Sequence, residues 1–139
     1  MIDQTRLPQE EVYLEIDDYR GVCAAIRELK IRGAPAIGIA GGSAVALGAL
    51  KLDPLAKDFQ ESVQKIIREV AATRPTARNL FFALERMKKA LESEKGAADI
   101  KDGLVEEAKK IHQEEADATF HLSLFGAELI QDGWTVLTH

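Results

Sequence analysis

The chain has 139 residues, 46% of them hydrophobic and 29% charged, with a formal net charge of −5. That length suits one domain with a real core, and the composition is that of a globular chain rather than a disordered one. The acidic balance argues against a nucleic-acid-binding surface, and the single cysteine, Cys23, excludes an internal disulfide and a cysteine-based zinc site.

Residues 1–17 open with Arg6-Leu7-Pro8 and then alternate through Glu11-Val12-Tyr13-Leu14-Glu15-Ile16. The alternation predicts a short strand with Val12, Leu14 and Ile16 on one face. Asp17 or Asp18 can cap a first helix, in which Tyr19, Val22, Cys23, Ile26 and Leu29 recur at three- and four-residue steps. A second helix is expected from about Pro35 to Leu50, broken by Lys51-Leu52-Asp53-Pro54. A third covers about Leu55–Ala72, with Phe59, Val63, Ile66, Ile67 and Val70 inward. Thr73-Arg74-Pro75-Thr76 reads as a break and restart, with Pro75 at a helix beginning. The fourth helix turns Leu80, Phe81, Leu84, Met87 and Leu91 inward and ends before Gly96. The fifth is the longest, about Ile100–Phe125, with Gly126 as its stop. Asp132-Gly133 is a turn signal, and residues 134–138 form a β-prone run without a partner nearby in sequence. The fold class is therefore mainly α: a bundle of about five helices with a short N-terminal strand and an orphan strand at 134–138.

From Gly33 to Leu50 there are 18 residues without a charge, five of them glycine. Its side chains are mostly alanine and no Trp or Tyr marks either end, so a helix buried in a bundle is expected there rather than a membrane span. No basic stretch followed by an apolar run and a cleavage site opens the chain, and a reducing cytoplasm is the expected compartment.

Ile31-Arg32-Gly33-Ala34-Pro35-Ala36-Ile37-Gly38 places an arginine and two backbone-permissive residues at the mouth of that uncharged helix. Gly33 allows close backbone approach or positive φ, and Pro35 suits a first helical turn. The free N–H groups there, the positive end of the helix dipole and Arg32 can converge on a phosphate. The same residues would also make a tight helix–helix turn with its arginine in solvent. Arg74-Pro75-Thr76-Ala77-Arg78-Asn79 repeats the arrangement. The two arginines could share one ligand, or this could be an ordinary helix start with Thr76 or Asn79 in support.

His112, Glu115, Asp117 and His121 fall on the last helix, and Asp117 and His121 share a face. A pair falls short of the three converging ligands a metal needs, so a solvated helix face is expected, and no metal or cofactor. Cys23 lies on an apolar face with nothing basic placed to lower its pKa, which describes a buried, inert thiol. Gly38 and Gly42, four apart, fit close helix packing; no GK[ST] follows them, so they are not a P-loop.

Four stretches together resemble the methylthioribose-1-phosphate isomerases of the initiation-factor 2B alpha/beta/delta-like superfamily. They are Asp3-Gln4-Thr5-Arg6-Leu7-Pro8, Ile31–Gly38, Arg74–Phe81, and Gly126–Ile130 with Thr135–His139. In the resemblance, Pro35 separates these isomerases from the ribose-1,5-bisphosphate isomerases and the initiation-factor regulatory subunits of the same fold. The resemblance implies aldose–ketose isomerisation of 5-methylthioribose 1-phosphate to 5-methylthioribulose 1-phosphate in methionine salvage. It implies substrate contacts for Arg32, Gly33, Ala34 and Arg74, a sugar phosphate as the partner, no nucleic acid or membrane, and a homodimer for the full-length protein.

It also implies that the strand at 134–138 leads into a catalytic cysteine. A general-acid aspartate follows within a C-terminal Rossmann-like domain. Both would lie beyond His139, and the family's additional β-hairpin would precede Asp3. On this reading residues 1–130 are an N-terminal substrate-cap domain and 131–139 the start of the second domain. The 139 residues are then a shortened piece, inactive alone. The alternatives are a non-catalytic interaction module like the initiation-factor subunits, or the ribose-1,5-bisphosphate branch.

Overall fold

The computed structural model describes residues 1–93 and 96–137. Its five helices are α1 (Tyr19–Arg27), α2 (Ala34–Leu50), α3 (Phe59–Ala71), α4 (Arg78–Ser93) and α5 (Ala97–Leu129). α2 is the axis of the bundle and packs against each of the other four. It can, because its side chains are uncharged and small or apolar on every side. Amphipathic neighbours turn their stripes onto it: Val22 and Ile26 from α1, Val63 and Val70 from α3, Leu80 and Met87 from α4, Leu104 and Ile111 from α5. Close approach sets the crossings. A Cβ on Gly41 would stand 2.3 Å from Leu80 Cδ1, and one on Gly42 would stand 3.2 Å from Ile111 Cδ1.

The far end of α2 has no capping side chain of its own. Lys101 Nζ of α5 reaches across and donates to the carbonyls of Leu50 (3.2 Å) and Leu52 (2.5 Å). A cation there satisfies orphan acceptors and meets the negative end of the helix dipole.

α1 is capped by Asp18, whose Oδ1 accepts from Arg20 N at 3.4 Å. Its other end corrects the expectation for Leu29, which is not on the inner face but just past the helix, 46% exposed, with φ of +59°. Leu29 N donates to Ile26 O (3.3 Å) and Lys30 N to Ala25 O (2.9 Å), which is a Schellman closure. The left-handed position costs a leucine about 1 kcal/mol. Leu29→Gly is therefore expected to raise stability by up to ~1 kcal/mol, read as a higher urea midpoint at unchanged m-value. An unchanged midpoint would show that the strain is relieved elsewhere.

Other boundaries shift for local reasons. Residues 11–16 are extended and alternate as expected, with Val12, Leu14 and Ile16 half-buried and Glu11, Tyr13 and Glu15 exposed. They pair with the first residues through one antiparallel bridge, Ile2 to Tyr13, rather than a full strand. α3 starts at Phe59 because Asp53 Oδ1 accepts from Leu55 N (2.9 Å), holding residues 53–56 in a turn. α4 starts at Arg78, not at Pro75. Ala77 N donates to Arg74 O at 3.0 Å, so Pro75 is the second residue of a β-turn.

Gly126 does not stop α5, which runs on to Leu129. One glycine costs a helix about 1 kcal/mol, less than good helix formers on either side can offset. The stop comes at Ile130, followed by a turn in which Gly133 has φ of +80° and Trp134 N donates to Gln131 O at 3.2 Å. Residues 134–137 make no strand pairing among the described residues, and Thr138 and His139 lie outside them. Beyond Ala118, which still lines the cavity beside α2 and α4, the long helix leaves the bundle, and Phe120, Phe125 and Leu129 are 60%, 65% and 74% exposed.

Candidate functional site

α1 ends in the Schellman closure, which throws the chain outward, and Ile31 plugs back into the core. Arg32, Gly33, Ala34 and Pro35 are then exposed at the start of α2. Gly33 is the N-cap with φ of +93°, a value that only glycine adopts without strain, and it supplies no side-chain cap. Among the described residues, the N–H groups of Gly33 and Ala34 donate to no protein acceptor, and Pro35 has none to donate. The positive end of an uncharged 17-residue helix thus faces solvent here.

Arg32 is held from the N-terminal segment. Its Nη2 donates to Gln4 O at 2.7 Å, and Gln4 Nε2 donates back to Arg32 O at 2.9 Å. Arg74 is half-buried and opens the turn before α4, just after the buried Thr73, whose Oγ1 donates to Val70 O at 2.6 Å. Among the described residues, neither Arg32 nor Arg74 forms an ion pair with a carboxylate.

The openings of α2 and α4 lie side by side. A Cβ on Gly38 would meet the Asn79 carbonyl oxygen at 3.0 Å. A cavity of about 120 Å³ opens beside this crossing, with Pro35, Gly38, Asn79, Phe82, Arg86 and Glu114 in its wall. Neither Arg32 nor Arg74 lines it. The structure thus brings the two helix starts together, while the cavity between them has neither arginine in its wall.

Arg86, which no sequence motif singled out, is committed elsewhere. Its Nε donates to Glu107 Oε1 at 2.5 Å and its Nη1 to Glu114 Oε2, tying α4 to α5. Hydrogen bonding to Arg86 holds the Glu114 carboxyl below its ordinary value of 4.5. A depressed carboxylate pKa stabilises the fold above the ordinary value, and that contribution is lost as pH falls through the lowered one. The stability gap between the wild-type chain and Glu114→Gln is therefore expected to be open at pH 7 and to close as pH drops below about 4. Urea unfolding at a series of pH values reads it, and a gap independent of pH would remove the pair from the account.

Of the remaining candidates, Glu115 lines the cavity between the two helix starts. Cys23 is 3% exposed and burial pushes its thiol up, the opposite of an activated nucleophile. Asp117 Oδ1 accepts from Gln113 Nε2 (2.8 Å), and His121 Nδ1 lies 2.7 Å from the Asp117 carbonyl. His112, Glu115, Asp117 and His121 form no cluster of three metal-ligating side chains among the described residues. No helix there is long and apolar enough to cross a membrane.

The model of the initiation factor 2 subunit family matches residues 30–139. A methylthioribose-1-phosphate isomerase from Dehalococcoides mccartyi is 51% identical over 140 residues, aligned with all of this chain and 42% of its own length. One from Trichlorobacter lovleyi is 47% identical over 145 residues, 41% of its length. The crystal structure of 5-methylthioribose 1-phosphate isomerase from Pyrococcus horikoshii superposes with a TM-score of 0.91 at 38% identity, covering 96% of this chain and 38% of that one. The delta subunit of translation initiation factor eIF-2B from A. fulgidus superposes with a TM-score of 0.87 at 34% identity, covering 96% and 39%. The chain spans about two-fifths of the length of the curated relatives it matches.

Proposed function

This chain belongs to the initiation factor 2 subunit family, and from that premise we propose that it is the substrate-capping helical part of a 5-methylthioribose 1-phosphate isomerase. The observation that carries the reading is the mouth of α2, where Arg32 and the unengaged N–H groups of Gly33 and Ala34 share one exposed edge with a helix dipole. The phosphate sits there, neutralised by Arg32 and held by the two N–H groups. Arg74, from the neighbouring helix start, takes a sugar hydroxyl or a second phosphate oxygen.

The C1 phosphate of the substrate is an acetal, which blocks free opening to an aldehyde. The reaction must open the ring and then move a proton or hydride between C2 and C1. Proton transfer needs a positioned acid or base, and of the carboxylates in the cavity wall Glu114 is already paired with Arg86. The role of these residues is to bind and orient the sugar phosphate, while the acid–base groups come from the part of the enzyme that the relatives carry beyond the aligned region. Phe81 and Phe82 on α4 and Phe120 and Phe125 on α5 are exposed, which supports a cover closing over this end of the bundle. A homodimer is the expected assembly of the full-length enzyme.

The test joins this chain to the C-terminal part of the Dehalococcoides mccartyi relative. The fusion is expected to isomerise 5-methylthioribose 1-phosphate, and the 139-residue chain alone is not. A folded fusion that leaves this substrate untouched, when the intact relative turns it over, would overturn the proposal. Turnover of ribose 1,5-bisphosphate in its place would assign the other isomerase branch. Resemblance to the initiation-factor subunit favours an interaction module as the second reading, which gives no use to a phosphate cradle.

A further inference from the structure

The Asp3-Gln4-Thr5 segment lies outside the helical bundle and holds no group that the proposed site uses, yet it is tied down closely. Asp3 is buried, and its Oδ1 accepts from Thr5 N (3.0 Å) and Thr5 Oγ1 (2.6 Å), closing a tight turn. Asp3 N donates to Val12 O at 2.8 Å and Leu14 N to Met1 O at 2.7 Å, so the returning chain backs that turn. Gln4 is thereby fixed in place before it touches anything else. It then makes three bonds to the loop between α1 and α2. Gln4 N donates to Lys30 O (2.8 Å), Gln4 Nε2 donates to Arg32 O (2.9 Å), and Arg32 Nη2 donates to Gln4 O (2.7 Å).

The second of these bonds sets the direction of a donor. In a trans peptide the C=O and the following N–H point to opposite sides. Holding the Arg32 carbonyl toward Gln4 therefore turns the Gly33 N–H away from the N-terminal segment and leaves it open. Gly33 has no side chain to fix that peptide plane and a φ of +93°, so without an outside partner this plane is the one free to rotate. The third bond anchors one nitrogen of the Arg32 fork and leaves the others to a ligand.

We propose that Gln4 is a positioning residue for the anion site at the mouth of α2: its carboxamide fixes the Arg32–Gly33 peptide plane, and its carbonyl fixes the Arg32 guanidinium. The proposal rests on the sugar-phosphate reading above. It concerns how the cradle is preorganised, since a donor already aimed costs less to order when the anion arrives.

The experiment uses the 139-residue chain labelled with ¹⁵N and inorganic phosphate as the probe. Gln4→Met keeps the length of the side chain and removes its donor. In the variant, without phosphate, the Gly33 N–H signal is expected to show increased fast motion while α3 signals stay unchanged, and the Arg32 side chain keeps its bond to the main-chain carbonyl of residue 4. The apparent phosphate Kd read from the Gly33 and Ala34 amides is expected to rise about fivefold or more. Unchanged Gly33 dynamics together with unchanged phosphate affinity would overturn the positioning role. So would motion spread equally through α3, because that describes a merely structural loss. If phosphate does not move the Gly33 and Ala34 amides even in the wild-type chain, the sugar-phosphate reading itself fails, and the proposal falls with it.

Discussion

In the fused isomerase, Arg32→Ala is expected to lower kcat/KM by roughly 30- to 150-fold, equivalent to about 2–3 kcal/mol for a lost charge-assisted contact. Arg32 is exposed and, among the described residues, its side chain bonds only to the Gln4 carbonyl, so its removal is expected to leave the fold intact and the loss to fall on the ligand. Arg32→Lys is expected to recover little, because an ammonium cannot bond Gln4 and grip a phosphate in two directions at once. Arg74→Ala is expected to act in the same sense. The pair decides whether the two helix starts serve one molecule. If both arginines hold the same sugar phosphate, the double variant departs from the sum of the single losses. Strict additivity would separate them into unrelated sites. An Arg32→Ala enzyme with wild-type kcat/KM would remove the α2 mouth from the substrate pocket.

Gly41→Val is expected to cost about 3 kcal/mol of stability, near the upper end for an overpacked core. The Cβ position at Gly41 lies 2.3 Å from Leu80 Cδ1, and Leu80 is fully buried, so the methyl groups of valine have nowhere to go without parting α2 from α4. Against a total of about 5–15 kcal/mol that is a large share. Alanine would blur the result, because replacing a helical glycine returns about 1 kcal/mol of propensity. Leu80→Ala in the same chain is expected to make the two losses sub-additive, since the space vacated by one is filled by the other. The urea midpoints of the four proteins close that cycle. A Gly41→Val loss below about 0.5 kcal/mol would mean that the crossing is looser than its geometry states. The same crossing carries Gly38 against Asn79 and so sets the spacing of the two helix starts.

What could be read before the structure was whatever leaves a local trace. The stripes of α1, α3 and α4 repeat at helical steps, save that Phe81, expected inward on α4, is 44% exposed, and an uncharged segment from Gly33 to Leu50 has no place but the centre of a bundle. The Asp132-Gly133 turn also declares itself. Boundaries set by a balance of small local terms were harder: Leu29 in a left-handed closure, α5 continuing through Gly126, and Pro75 in a turn rather than at a helix start. Contacts between residues far apart left no trace at all. Gln4 and Arg32 are 28 positions apart, and Lys101 and Leu50 are 51 apart, and neither pair makes a pattern. The arginine–glycine–alanine mouth was legible as a shape for anions. The clasp that aims it was not.

The departure of α5 from the bundle also sets the order in which the molecule comes apart. A helix of 33 residues is about 50 Å long, and only its portion up to Ile111 is held by buried side chains. The stretch from His112 to Leu129 is close to the length at which an isolated helix is marginal in water. It therefore borrows its nucleus from the docked half, and its amide protons exchange by fraying from Leu129 inward, well ahead of those in α2. Unfolding in this chain begins as the retreat of a helix end toward the bundle, and the cooperative step comes when that retreat passes Glu114, tied to Arg86, and reaches the buried Ile111.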